Sequence, residues 1–355
     1  MQSAEQASGR SMLRHLTRDL VSTGSFGEHP AIKAWRAVQP GLVGFQGIEI
    51  LEENKKSVVY RLAGAGLAGS AVIAKQCWYK SALVERAIYE AILPHVPLPH
   101  LYYYGFVQWD DEWCWLFFED AGNEDYSSQS EEHRLLAAQW LGIMHTSAAR
   151  LAPASQLPDR GPKHYLARLQ SAHAVIERAL AERTFNRGER AILESIIFQC
   201  DLLRGHWREV EQSCKSVPRT VVHGDFLRKN LRVRTGSAGI VLLPFDWENA
   251  GWGLPTTDLA TAGLGRFRGN SAASSECPEI SAYRSAVCQF WPQFGGDTRV
   301  LANLGMIFRL IDAVDWASED VAGERSVGAM ARSLAQLRFY DRQIAGAVQA
   351  LIRGS

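Results

Sequence analysis

Between Gly47 and Glu119 apolar residues alternate with polar ones in short runs, and Ile48–Leu51, Ser57–Leu62 and Ala71–Gln76 predict three strands in meander order. A helical spacing follows over Ser81–Leu93 and stops at Pro94, which cannot continue a helix. Leu101–Val107 and Trp113–Phe118 then predict two more strands. After Asn123 the period becomes that of amphipathic helices, over Glu131–Arg150, Lys163–Arg183 and Arg187–Lys215. A strand-like run at Val221 interrupts them, and a polar turn at Thr235–Gly239 joins two short strands into a hairpin. Ile280–Trp291, Thr298–Trp316 and Val327–Ile352 return to helical spacing. At the other end, Ser11–Val21 sets Met12, Leu13, Leu16 and Leu20 on one face of a short helix in a segment that reads as appended. The pattern gives an α+β chain divided into an extension (1–40), a strand-rich lobe (41–119) and a larger α-rich lobe (120–355).

Length and charge narrow the function. A chain of 355 residues, 46% hydrophobic, can bury two separate cores. Its 38 basic residues are matched by 38 acidic ones, so no overall field recommends nucleic acid or an anionic membrane as partner. The six cysteines are scattered without a C-x-x-C pair and read as reduced core residues. Arg14, Arg18 and Asp19 interrupt the N-terminal apolar residues, and no run reaches membrane-spanning length. The expectation is a cytoplasmic protein, monomer or homodimer, acting on a small hydroxylated molecule.

The candidate chemistry lies between Val221 and Ala260. The run VVHGDFLRKN delivers His223, Gly224 and Asp225 into a loop, Asn230 follows five residues after Asp225, and the hairpin brings the chain to Asp246. This H-x-D-x-x-x-x-N spacing with a later Asp is that of phosphoryl-transfer sites. Such a transfer asks mainly for positioning and charge neutralisation: Asn230 and Asp246 offer hard oxygen ligands for Mg²⁺, and Asp225 can accept the acceptor hydroxyl's proton. Each residue alone could be an ordinary turn or cap. Their joint spacing, followed by GLPTTDLA at Gly253–Ala260, makes coincidence the lesser reading.

Two features of the strand-rich lobe bear on nucleotide binding. Gly64–Gly69 reads GAGLAG, formally G-x-G-x-x-G, but SAVIAK after it is a β-pattern where a dinucleotide site needs a helix. It also leaves no room for the strand that separates a kinase glycine loop from its lysine, so a plain turn between strands is expected. The phosphate-covering turn falls instead at Glu52–Ser57, with Ser57 as a phosphate contact. Lys75 ends VIAK where an ammonium can reach nucleotide phosphates, and Glu85 on the following helix is the favoured partner, with Glu90 as the alternative.

In HGDFLRKN, in FDWENAGWGLPTTDLA and more loosely in VIAK, ERAIYEAILP and FFEDAG, the chain resembles the aminoglycoside phosphotransferase and choline kinase-like family of small-molecule kinases from about Gly41 onward. The resemblance implies a bilobal protein kinase-like fold, a small antiparallel-sheet N-lobe with one main helix before a larger α-rich C-lobe. It also implies ATP and Mg²⁺ as cofactors and hinge backbone near Phe118, Glu119 and Asp120 that holds the adenine. One position departs from the pattern: the family usually carries His, and protein kinases Lys, two residues after the catalytic Asp, where this chain has Leu227. Lys229 or Arg228 could supply the missing cation. Because of Leu227, a catalytically silent kinase-like protein that binds a nucleotide or a partner stands as the alternative. The acceptor is open between antibiotic, amino alcohol and sugar. Glu276, Glu279, Asp312, Asp315, Glu319 and Asp320 could serve a polycation, and Trp247, Trp252, Trp291 and Trp316 a ring or quaternary amine.

Overall fold

In the computed structural model, which describes residues 26–41, 44–151, 157–237, 239–261, 278–292, 298–323 and 327–353, the five predicted strands form one sheet. They are β1 (Gly47–Glu53), β2 (Ser57–Ala63), β3 (Val72–Trp78), β4 (Tyr103–Gln108) and β5 (Trp113–Glu119), in the order β1-β2-β3-β5-β4 with every neighbouring pair antiparallel. β5 reads WCWLFFE, with little alternation, because both its faces are covered. Phe117 meets Trp35 of helix α1 (Pro30–Val38) at 5.3 Å between ring centres, while Phe118 points the other way to Tyr89 at 4.7 Å. Tyr89 belongs to the extension of α2 (Tyr79–Ala87), which runs on through a wide π turn at Ile88–Ile92 and a tighter turn at Leu93–His95. Gly64–Gly69 is a turn between β2 and β3, and Gly64 and Gly69 take φ values of 76° and 78° that favour glycine.

Helix α1 lies in the stretch expected to be an appended segment, and the structure corrects that expectation for its described part. Ala31, Ile32, Ala34 and Trp35 are buried in one cluster with Tyr60, Leu62, Ala74, Trp115 and Phe117. The helix starts where local chemistry says it should: Pro30 needs no hydrogen-bond partner in the first turn, and His29 Nδ1 accepts from the Ala31 N–H at 3.2 Å. The Ser11–Val21 helix lies outside the described residues.

The remaining elements are mostly helical: α3 (Glu131–Arg150), β6 (Asp159–Arg160), α4 (Pro162–Glu182), α5 (Arg187–Gly205), α6 (Trp207–Cys214), β7 (Thr220–Val222), β8 (Leu231–Gly236), β9 (Gly239–Pro244), β10 (Gly251–Gly253), α7 (Thr256–Thr261), α8 (Pro278–Val287), α9 (Thr298–Ala322) and α10 (Val327–Arg353). The single helix expected over 187–215 is two, broken at His206, whose ψ of 19° ends the α-helical run. Asn186 starts α5 with a capping box, its side chain accepting from the Gly188 and Glu189 N–H groups while Glu189 accepts from its own. β6, β10 and β7 form a three-stranded sheet, and β8 pairs with β9 as the expected hairpin. Where the sequence pattern was divided at 40 and 119, the compact units run 1–94, 99–124 and 232–248 for the first, and 95–98, 125–231 and 249–355 for the second. The hairpin therefore counts with the five-stranded sheet, and the Asp225 loop with the helices. Among the described residues no helix is long and apolar enough to cross a membrane.

Candidate active site

The first unit gathers charge around Lys75. Its position in β3, between β2 and β5, aims the side chain into a buried pocket of carboxylates: Nζ is 2.8 Å from Glu85 Oε2 and 2.5 Å from Asp246 Oδ1. Glu90 instead pairs with Arg86 on its own helix, at 2.9 Å. Glu85 is 2% exposed and its other oxygen accepts from the Trp247 N–H at 3.2 Å, so one carboxylate ties the lysine to the segment after β9. Burial works against the charge of Lys75, yet Glu85, Asp246 and Glu248 outweigh it and hold its pKa well above the ordinary lysine value. Burial, with the nearby Asp246 and Glu248 carboxylates, holds the Glu85 pKa above the ordinary carboxylate value against the pull of the Lys75 ammonium. Glu85 and Asp246 thus contact the ammonium, and Glu248 adds its charge to the surroundings without a direct contact to it. Asp246 takes a φ of 65°, a left-handed conformation that Asp tolerates better than most residues and that marks a constrained position.

The turn expected to cover phosphates is closed by a residue that the sequence reading passed over. Asn54 Oδ1 accepts from the Lys56 and Ser57 N–H groups at 2.8 and 2.9 Å, and its Nδ2 donates to Ser57 Oγ at 3.0 Å. Ser57 is buried with its N–H engaged, and its hydroxyl keeps its own proton to donate. At the end of β5, Phe118 packs in the sheet, and the Glu119 N–H donates to the Tyr102 carbonyl at 2.8 Å. The segment is braced by two arginines that no motif announced. Arg234 donates to Glu119 Oε1 and to the Asp120 carbonyl, at 2.7 and 2.9 Å, and Arg61 Nε to Asp120 Oδ2 at 2.7 Å.

The second unit holds the Asp225 loop. Asp225 is 3% exposed; its Oδ2 accepts from Asn230 Nδ2 at 3.1 Å and lies 2.8 Å from Lys229 Nζ, while Oδ1 is buried with no hydrogen-bond partner. Asn230, also buried, holds the loop closed by donating to the Asp225 carbonyl at 2.9 Å. The loop hangs from a residue inside GLPTTDLA. Asp258 accepts from the His223 N–H at 2.8 Å and the Gly224 N–H at 2.9 Å, and His145 Nε2 lies 3.2 Å from the same carboxylate. His145 is fully buried and its other ring nitrogen meets Tyr283 at 2.9 Å. Gly224 has no alternative at its site: φ is 78°, and a Cβ there would stand 2.3 Å from the Asn249 carbonyl oxygen.

Among the described residues no cluster of three His, Cys, Asp or Glu side chains stands ready for a metal. Of the acids considered for a polycation, Glu279 pairs with Arg134, Asp312 and Asp315 pair with Arg168 at 2.6 and 3.0 Å, and Asp320 accepts from the Ser333 hydroxyl at 3.1 Å, while Glu276 lies outside the described residues. Burial lifts Asp312 to about 6 against the pull of its arginines. Trp247 is core, and the Trp316 ring is faced by Arg168 and Arg309, each 5.5 Å from its centre.

A family model described as the phosphotransferase enzyme family matches residues 74–278, the span from β3 past GLPTTDLA. A search of curated proteins returns no match. Among solved structures, the GDP complex of aminoglycoside 2'-phosphotransferase-IIIa superposes with a TM-score of 0.58 at 11% identity, over 88% of this chain and 97% of that one. Spectinomycin phosphotransferase with ADP and spectinomycin gives 0.57 at 9% identity, over 87% and 94%. The ethanolamine kinase of Plasmodium vivax gives 0.56 at 14% identity, over 92% of each chain. At such identities the likeness is one of fold, the α+β kinase-like fold of a small antiparallel sheet with a helical C-terminal part.

Proposed function

The chain belongs to the phosphotransferase enzyme family, and from that premise we propose that it transfers the γ-phosphoryl group of ATP to a hydroxyl of a small molecule. The observation that carries this reading is the Asp225 carboxylate. A buried carboxylate oxygen without a partner is rare and costly, and here its twin is held by Asn230 and Lys229 while Oδ1 is left open. That arrangement suits a base awaiting a hydroxyl proton. Asp225 orients the acceptor, takes its proton late in the transfer, and is kept in place by Asp258 through the loop backbone. Lys75, fixed by Glu85, serves the nucleotide phosphates; Ser57 offers them a hydroxyl, and the backbone around Glu119 takes the adenine. Asp246 and Asn230 are the residues that would hold Mg²⁺, their carboxylate and amide oxygens being ligands of the hard type that such an ion takes. The ion, when bound, neutralises charge on the phosphate oxygens.

Three of the acids that could have met a polycation, Glu279, Asp312 and Asp315, are already paired with arginines, which supports a hydroxylated acceptor other than a polycation. The test is turnover of ATP and GTP with Mg²⁺ against aminoglycosides, spectinomycin, choline, ethanolamine and hydroxylated metabolites, with mass detection of the phosphorylated product. A product confirms the reading. Absence of product with every acceptor, with no metal-dependent nucleotide binding, would favour the silent protein that Leu227 suggests.

A further inference from the structure

We propose that Lys229 is the cation that stabilises the phosphoryl group in flight, and that its ion pair with Asp225 is the position from which it acts. The inference rests on the kinase reading above. Phosphoryl transfer spreads negative charge over three oxygens of the moving group, and a site gains most from positive charge placed where that charge develops. On the Asp225 loop the cationic side chains are Arg228 and Lys229. Leu227, half-buried, carries no charge, and Arg228 is exposed and makes no ion pair among the described residues. Lys229 alone of these is directed at the reacting carboxylate, 2.8 Å from Asp225 Oδ2, from a turn at Arg228–Asn230.

A purely structural role is already filled. Asn230 holds both the carbonyl and the carboxylate of Asp225 from the buried side, at 2.9 and 3.1 Å. Lys229 approaches from solvent, with 65% of its side chain exposed against 4% for Asp225, so the carboxylate is fixed while the lysine stem is not enclosed. A four-carbon stem with three donors can serve Asp225 and a neighbouring oxygen together.

The chemistry gives the release its timing. The acceptor O–H gives its proton to Asp225, the acceptor oxygen forms the new bond to phosphorus, and the bond from the γ-phosphorus to the bridging oxygen breaks. The departing electron pair stays on ADP. Lys229 gives no proton. Lys229 keeps Asp225 on one N–H donor and turns the other two to the oxygens of the moving group, and it is released only as that carboxylate takes up its proton late in the transfer.

The experiment uses the full chain, with Mg·ATP affinity by calorimetry and turnover both to water and to any acceptor found. Lys229→Ala is expected to lower turnover by about 10²–10³, the usual loss for one transition-state donor, with nucleotide affinity within about threefold of wild type. Lys229→Arg, which keeps the charge, should recover at least about tenfold of that loss, and Arg228→Ala should stay within about twofold of wild type. Circular dichroism checks each fold. If Lys229→Ala keeps wild-type turnover, or if the Arg variant is as slow as the Ala variant, the inference is wrong while the kinase reading stands. If the wild type itself turns over no nucleotide, both fall.

Discussion

Asp258 is the sharpest place to test how the loop is built, because it touches no reacting atom in this scheme and acts only through the backbone of His223 and Gly224. Asp258→Asn keeps the shape and one oxygen. That oxygen can still accept from one of the two N–H groups now at 2.8 and 2.9 Å, as a neutral bond in place of a charged one. The other N–H then faces the amide's own donor in a fully buried site. A hydrogen bond to a charged group contributes about 1.5–3 kcal/mol and an unsatisfied buried donor costs about 1–3, so the expected loss is about 3 kcal/mol. For a unit of this size each kcal/mol lowers the melting temperature by about 2–4 °C, which places the variant about 6–12 °C below wild type. Because Lys75, Glu85 and Asp246 belong to the other compact unit while Asn230 lies on this loop, Mg·ATP affinity should fall by less than turnover, which drops more than tenfold. Differential scanning calorimetry, titration calorimetry and product assays together read all three. A melting temperature within 1 °C of wild type with full turnover would show that the loop does not depend on this carboxylate.

Other positions give separable outcomes. Asp225→Asn should lower turnover by about 10²–10⁴ and leave Mg·ATP binding intact, whereas Asp246→Asn should weaken both; loss of nucleotide binding in the Asp225 variant would contradict the assignment. Lys75→Met leaves Glu85 buried without its partner and should cost about 3–5 kcal/mol in urea unfolding, with Glu85→Gln and not Glu90→Gln reproducing part of the loss of nucleotide affinity. Burial lowers the pKa of His29 to about 4, below the ordinary 6.5, so the unfolded chain binds the extra proton and stability falls as pH drops from about 6.5 toward 4. At pH 5 the loss approaches about 2 kcal/mol, and His29→Asn, which can still cap α1, should flatten the slope of melting temperature against pH in that window.

Much of the fold was legible because its signals are local. The alternation in β2, the Pro94 stop and the apolar stripe of Glu131–Arg150 each follow from the side chains of one short stretch. The candidate site could be singled out because phosphoryl transfer asks for a spacing like that of Asp225 and Asn230 within one loop. What escaped depends on distant partners. Helix α1 looked like a tail because a single amphipathic turn says nothing about the sheet that receives Trp35, although Pro30 after a capping residue was a usable sign. Asp258 was visible only as part of GLPTTDLA, since its partners are main-chain N–H groups 34 and 35 residues away. Arg61 and Arg234 carry no sequence signature at all. The acids and tryptophans of the helical part could be counted but not aimed, and only the arginines beside them show that several are already engaged.

The assignment of the β8–β9 hairpin to the sheet unit has a consequence for anyone who recombines or trims this chain. A fragment ending at residue 124 would keep Lys75, Glu85 and Glu119 yet leave out Asp246 and Arg234, stranding the lysine with one carboxylate and Glu119 without its guanidinium. Chimaeras with relatives should therefore take residues 47–119 and 232–248 from the same parent, with crossovers made in pairs inside 125–231 or placed beyond 249. The heritable module here is a pair of segments separated by more than a hundred residues, and a library with one crossover between them would split it.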